Sequence, residues 1–381
     1  MRAPRVCASR RCILYLDNMR DRGVTGTTDW VRYEVQATIP DGTEWVYYGA
    51  LLAGSGTAWF DSFHVEDLDA AELPDPSEEA RAYLQRALNI IERFALRRDE
   101  VDWSRIQDEA LAQARGAADA AAVHTVLRNT LRTLGDRHSV LLAPPEARAW
   151  EAGADPAGRP EPMGVMLSRR VAYLEVPRFS GDVAEQVTAY ADALQNLIRT
   201  QAEAGACGWV VDLRGNSGGN MWPMLAGLGP LFGDGELGGF RGADGEQAAW
   251  WYRGGATGVA ERTAARVSNE PFILPTLPPV AVLVGPTTAS SGEAVALALT
   301  GRDNAASFGA PTAGLTTGNQ LFVLSDGALL WLTTSVFVDR DGRAYGGPVQ
   351  PDHEVIPTAA SQRGADPVRD SALTWLKRSC L

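Results

Sequence analysis

Lysine is almost missing from this chain. Of the 35 basic residues in its 381, all but Lys377 are arginine, and only four histidines accompany them: His64, His124, His138 and His353. A guanidinium stays protonated near neutral pH and cannot accept a proton there, whereas a desolvated lysine or an imidazole can. Any chemistry that needs a nitrogen base therefore has a short list of candidates. Cysteine is also scarce. Cys7, Cys12, Cys207 and Cys380 form no C-x-x-C pair and no regular framework, so they read as free thiols rather than as a zinc or redox site. No apolar run reaches the roughly 18–20 residues that a membrane-spanning helix needs. The opening "MRAPRVCASRRCILYL" is basic, but its apolar stretch is too short for a secretory signal, and the sequence assigns no compartment. Positive charge is outnumbered: a net charge of -12 argues against nucleic acid or an anionic membrane as the main partner.

What remains is long enough for two or three packed units. Residues 1–71 read as β. "WVRYEVQATI" and "EWVYYGALLAG" are rich in β-branched and aromatic residues and flank the turn signal "PDGT". Residues 72–155 open with the polar link "ELPDPSEEA" and continue as helices. Tyr83, Ala87, Ile90, Ile91 and Phe94 fall on one helical stripe, "DWSRIQDEALAQA" forms a second helix, and Val123, Val126, Leu127, Leu131 and Leu134 share a face of a third. That third helix should stop at Gly135, a residue suited to the left-handed terminator, directly before "DRHSVLLAPP".

Residues 156–360 alternate strand and helix: "RVAYLEV", the helical "VAEQVTAYADALQNLI", "GWVVDLRGNSGGN", a glycine-rich loop region over 233–260, and "PPVAVLVG" leading into "PTTASSGEAVALAL". Such alternation implies a mostly parallel sheet with its ligand site at the carboxyl ends of the strands. Residues 361–381 form a C-terminal helix or tail.

Two of those strand ends carry chemistry. In "GPTTASSGE", Ser290 and Ser291 sit between a turn and an apolar helix. Ser290 with Glu293 makes the S-x-x-E capping box, so helix capping alone would explain the serine. The same geometry, however, exposes a hydroxyl beside free backbone N–H groups, as in a nucleophile elbow. In "DLRGNSGG", Gly218 and Gly219 let backbone approach a ligand without a Cβ in the way. Asp212 and Arg214 read as a structural pair supporting that turn.

Taken together, "DLRGNSGG", "TTASSGE", "GAPTAGLTTGNQ" and "YGGPVQPDHEV" resemble, in that order over about residues 76–360, the tail-specific (C-terminal processing) serine protease family. The resemblance implies an α/β catalytic domain with a crotonase-like (ββα) core, preceded by a helical segment and a partial all-β module. It makes Ser290 the nucleophile and Ser291 an oxyanion-hole donor through its N–H, with Gly218 or Gly219 the other. The branch that uses a lysine base places it about 25 residues after the serine. Here that position is Leu315, and too little sequence separates "HSVLLAPP" from "RVAYLEV" to hold a PDZ module. "LGDRHS" instead resembles the tricorn-core-like branch, which makes His138 the general acid/base; His64, His124 and His353 read as structural. Where that branch carries an orienting glutamate, this chain has Tyr345, so Glu293 and Asp136 are the candidates for that role.

The function implied is a serine endopeptidase acting on polypeptides through an acyl-enzyme, with no metal and no cofactor. The alternative is a lipid-, retinoid- or peptide-binding protein on the same fold, because the retinoid-binding proteins of the photoreceptor matrix also resemble this family. "LYLDNM", "GTTDWVRYEV" and "GTAWFDSFHVE" resemble half of a jelly-roll accessory module, within which Trp30, Trp45 and Trp59 read as core rather than as a sugar-binding platform. The oligomeric state is not legible in the sequence.

Overall fold

The computed structural model describes residues 27–33, 39, 46–50, 52, 56–66, 73–153, 160–356 and 366–380. Helices come first, and side chains cap them. Ser77 accepts the Ala80 N–H (3.0 Å) to open α1 (Glu78–Phe94). Asp102 opens α2 (Trp103–Gln113), and Asp119 opens α3 (Ala120–Thr133). Tyr83, Ala87 and Ile91 of the expected stripe are buried, joined by Leu84 and Leu88, while Ile90 and Phe94 are partly covered. All five apolar positions expected on the third helix are buried. The helix ends at Gly135, whose φ of 68° lies in the left-handed region.

Next come β1 (Val140–Leu142), α4 (Pro144–Glu151), β2 (Met163–Met166) and β3 (Val171–Glu175). Then follow α5 (Ala184–Glu203), β4 (Gly208–Asp212), α6 (Met221–Gly227) and α7 (Gly229–Phe232). Residues 233–260, expected to be a glycine-rich loop, are instead mostly strand. They hold β5 (Gly235–Gly242), β6 (Gln247–Arg253) and β7 (Ala256–Val259), which continue antiparallel into β8 (Arg262–Arg266). The glycines here serve close packing of backbone: a Cβ on Gly258 would come within 2.0 Å of the Arg262 carbonyl oxygen. The chain closes with β9 (Val280–Val284), α8 (Ser291–Thr300), β10 (Ala305–Gly309), β11 (Thr317–Val323), β12 (Leu329–Val338), β13 (His353–Glu354) and α9 (Pro367–Ser379).

Two sheets result. One runs β13-β10-β9-β4-β3-β2, parallel except at its β2 edge, and the buried runs of β4 and β9 lie side by side in its middle. The other is antiparallel, β1-β12-β5-β6-β7-β8, with β11 also paired to β12. α5, α6 and α8 cover one face of the parallel sheet and α9 the other. The helical core is completed by Leu141 of β1 and by Leu324, Ala328, Leu330 and Leu332 of the β11–β12 hairpin. Helices and hairpin therefore share one core.

The cysteine reading needs correcting. Cys207 and Cys380 form a disulfide with 5.9 Å between their Cα atoms, and 173 residues separate them. They meet because Val368, Ala372 and Leu376 bury α9 against the sheet, which carries its end to the start of β4. No local pattern could have revealed that pairing. Cys7 and Cys12 lie outside the described residues. Lys377, on the last turn of α9, is consequently held at the amino ends of the parallel strands, whereas Ser290 follows the carboxyl end of β9. The lone lysine is at the wrong end of the sheet to serve as its base.

Within 27–66, no described residue belongs to a strand. Trp30 and Trp59 are 70% and 74% exposed rather than core, and Trp45 lies outside the described residues.

Candidate active site

Because β4 and β9 pair in register (Asp212 with Leu283), the turns leaving their carboxyl ends lie against each other. The Thr288 hydroxyl donates to the Leu213 carbonyl (2.9 Å), and the Ala289 N–H donates to that of Asn216 (3.0 Å). These bonds fix the tip where Ser290 sits with φ 50° and ψ -116°. A positive φ on a residue with a Cβ is strained, costing on the order of 1–3 kcal/mol, and persists only where the surroundings impose it. The Ser290 hydroxyl makes no cap bond, which corrects half of the expected capping box; the Glu293 carboxylate does accept the Ser290 N–H (2.7 Å). Among the described residues the hydroxyl has no hydrogen-bond partner, His138 included.

The first N–H groups of α8 divide cleanly. Ser290's goes to Glu293 and Gly292's to the Ala289 carbonyl, while Ser291's has no partner among the described residues. On the facing turn, the Gly218 N–H is engaged by Asn216 Oδ1 (3.0 Å), which removes Gly218 from the pair of expected donors in this conformation. The Gly219 N–H has no partner among the described residues, and the Ser291 hydroxyl donates to the Gly219 carbonyl, locking the two turns together. Both glycines are required by space. A Cβ on Gly218 would sit 2.9 Å from Ser290 Cβ, and one on Gly219, at φ 108°, would lie 1.9 Å from the Phe179 carbonyl oxygen.

Asn216 was not among the expected site residues. Fully buried, it donates to the carbonyls of Val176 (3.0 Å) and Pro177 (3.3 Å) while its Oδ1 holds Gly218. An Asx-type bond to the N–H two residues on is the local signal that could have identified it. Arg214 bridges Asp212 and Asp366, with Nη1 2.9 Å from Asp366 Oδ1, and so ties the start of α9 to the base of this turn.

Glu293 does not orient the histidine. Completely buried, it accepts from Ser290 N, the Thr312 hydroxyl, Gly314 N (2.8 Å) and Leu315 N (2.8 Å). Burial pushes its pKa up, and those four bonds oppose the rise. Its position makes it a brace between the serine turn and the 312–315 segment. Leu315, standing where the other branch has its lysine, contributes only its backbone N–H to this brace.

Two residues beyond Leu315, Thr317 begins β11 and meets the histidine: its hydroxyl lies 2.7 Å from His138 Nδ1. The segment carrying His138 is held on both sides. Asp136 Oδ1 accepts the backbone N–H groups of His138 (2.6 Å) and Ser139 (2.8 Å), and Asn319 donates to the His138 carbonyl (2.9 Å). The Thr333 hydroxyl stands 3.0 Å from Asp136 Oδ1 and 2.9 Å from Asn319 Oδ1, able to donate to one at a time. Asp136 thus positions the histidine backbone and not the ring. Tyr345, at the place of the missing glutamate, donates to Asp339 (2.9 Å). The imidazole faces a neutral hydroxyl, and burial lowers its pKa from 6.5 to about 4, with Asp136 opposing the shift. It is neutral at pH 7.

The other histidines are engaged elsewhere. His124 lies 2.7 Å from Asp326 and 3.2 Å from the Tyr83 hydroxyl, joining the helices to the hairpin tip; His353 stacks on Phe308. His64 lies in the exposed 56–66 stretch. No group of three or more His, Cys, Asp or Glu side chains suited to a metal occurs among the described residues.

Comparison with known proteins finds similar sequences and folds. The nisin-resistance protein of Lactococcus lactis subsp. lactis is 26% identical over 298 residues, 77% of this chain and 86% of that protein. A lipoprotein from Streptococcus agalactiae superposes with a TM-score of 0.64 at 25% identity, covering 83% of this chain and 99% of that one. The photosystem II D1 C-terminal processing protease, 15% identical, shares the fold with a TM-score of 0.51 over 72% of this chain and 93% of its own. Residues 170–355, which hold both turns and the 312–315 brace, match the model of peptidase family S41. Residues 170–355 therefore form a peptidase family S41 domain, as the resemblance to the tail-specific (C-terminal processing) proteases implied.

Proposed function

We propose that the chain is a serine endopeptidase that acylates on Ser290, with His138 as general acid/base and the N–H groups of Ser291 and Gly219 as the oxyanion hole. One observation carries the reading: a serine held at φ 50°, its hydroxyl unbonded among the described residues, stands between two turns that each present one N–H with no partner among them. Strain of this kind is expected where geometry serves chemistry. In the reaction, Ser290 Oγ attacks the scissile carbonyl carbon while its proton passes to His138 Nε2. The carbonyl oxygen takes the negative charge between the two N–H groups. Collapse breaks the C–N bond, and His138 returns the proton to the departing amine. Water then repeats the sequence on the acyl-enzyme.

Thr317 has a defined part in this scheme. With Nδ1–H donated to its hydroxyl, the lone pair is left on Nε2, the nitrogen that must act as base. A hydroxyl sets the tautomer but lends no negative charge to the imidazolium, consistent with the low pKa. Quenched-fluorescence peptides test the reading: wild-type protein should cleave them and Ser290→Ala should not. Undiminished cleavage by Ser290→Ala would overturn it.

The neutral Thr317 favours a second reading, a ligand-binding protein that keeps the fold without turnover. It requires thermal stabilisation of the wild-type protein by a lipid or peptide that is never cleaved.

A further inference from the structure

Among the described residues β8 ends the antiparallel sheet and pairs on one side only, with β7. In that ladder Val267 N–H bonds the Gly255 carbonyl (3.0 Å) and Thr257 faces Ala265, so by antiparallel alternation the backbone N–H and C=O of Arg266 point away from β7. A bulge between Thr257 and Gly258 leaves Ala264 without a partner residue. Neither lysine nor proline guards this edge, and its middle residues are small: Thr263, Ala264 and Ala265.

Along the open edge lies a groove. A cleft of about 250 Å³ separates Thr263–Arg266 from the first turns of α5 and reaches Asn220, the residue after Gly219. A second cleft of about 450 Å³ shares Thr188 and Arg266 with the first and extends it to Arg253. The two clefts adjoin at Thr188 and Arg266, so together they run from Arg253 past Asp182 to Asn220, beside the glycine turn of the candidate active site. Neither Arg253 nor Arg266 has a salt-bridge partner among the described residues, although acidic residues outnumber basic ones 47 to 35 in the chain; Arg253 only stacks over Trp251, at 5.2 Å. Two unpaired guanidiniums lining the second cleft match a carboxylate by charge, and the free ladder groups between them and Asn220 match an extended backbone.

We infer that the groove is a substrate subsite in which an extended polypeptide adds as a strand to the β8 edge, with an acidic side chain of that polypeptide held by Arg253 and Arg266. The inference rests on the peptidase reading, since it supplies the path by which a polypeptide would reach Ser290.

Its test is separated from turnover by using the Ser290→Ala protein and reading binding alone. A fluorescein-labelled extended peptide with glutamates at alternate positions should bind, and fluorescence anisotropy should show Arg253→Gln/Arg266→Gln weakening it about tenfold or more, the scale of a lost charge-assisted bond. The glutamine counterpart should bind weakly and be indifferent to the arginine substitutions. N-methylation of alternate backbone amides should abolish binding if the peptide pairs with β8. Equal affinity of the glutamate peptide for both proteins, or no effect of N-methylation, would overturn the inference. So would affinity lost on amidating the peptide's C terminus, because the carboxylate would then be terminal. Failure of the peptidase reading would show instead as absent cleavage by wild-type protein with this binding intact.

Discussion

The two halves of the candidate site are built in different ways. The serine half is backbone: two turns at the ends of adjacent parallel strands, glycines where no Cβ fits, and a helix whose first N–H groups face the same space. The histidine half is side chain. His138 follows a helix of another layer and is held by Asp136, Asn319 and Thr317, two of which arrive from β11 179 and 181 residues later. The shared core of helices and hairpin, the β1–β12 pairing and the Glu293 brace to 312–315 tie the two halves together. A site built this way should tolerate change unequally. Errors in the backbone half break geometry outright, and errors in the side-chain half detune it.

The largest effect should come from Gly219→Ala. A Cβ 1.9 Å from the Phe179 carbonyl oxygen, added at φ 108°, should cost roughly 3 kcal/mol or more in urea denaturation and remove measurable cleavage. A stable, active variant would show that the turn is not fixed as described. His138→Gln comes next: cleavage should fall by about 1,000-fold or more with the melting temperature little changed, because base and acid are lost together. Activity within a few-fold of wild type would remove His138 from the mechanism.

Smaller still is Thr317→Val, which keeps the shape and removes the acceptor at Nδ1. Turnover should drop about 10- to 100-fold, general acid/base catalysis being weakened but not removed, and Thr317→Ser should restore it. Equal rates for the three proteins would make Thr317 a packing residue. An effect that is nil at neutral pH and appears only on acidification concerns stability. His138 has a folded pKa depressed to about 4, below its ordinary 6.5. Its neutral form is favoured by folding, so no stability is lost above about pH 6.5; stability declines between there and about pH 4 as the unfolded chain takes up the proton first. Comparing wild type with His138→Gln in urea melts at pH 7 and pH 4.5 isolates that difference, which should vanish at the higher pH.

Legibility followed the same division. "DLRGNSGG" and "TTASSGE" are contiguous because backbone geometry is set by neighbours in the chain, so the residue types at each position announce the turn. The α3 stripe and its end at Gly135 were readable for the same reason. Thr317, Asn319 and Thr333 act across a β hairpin on a residue almost 180 or more positions away, and nothing local marks them. Glu293 shows the limit from the other side. Its spacing from Ser290 correctly gave the bond to Ser290 N–H, yet the bonds that make it a brace reach Thr312, Gly314 and Leu315. The 233–260 strands were hidden by glycines that serve sheet packing, and the Cys207–Cys380 bond by the docking of α9.

The pairing of a backbone-built nucleophile with a histidine set by a hydroxyl is tested most directly by the pH dependence of fluorophosphonate labelling. Labelling should map to Ser290, be absent in Ser290→Ala, and lose its rate on acidification with a midpoint near pH 4, following the His138 pKa of about 4. A midpoint at or above the ordinary histidine value of about 6.5, or labelling that survives in Ser290→Ala, would contradict it.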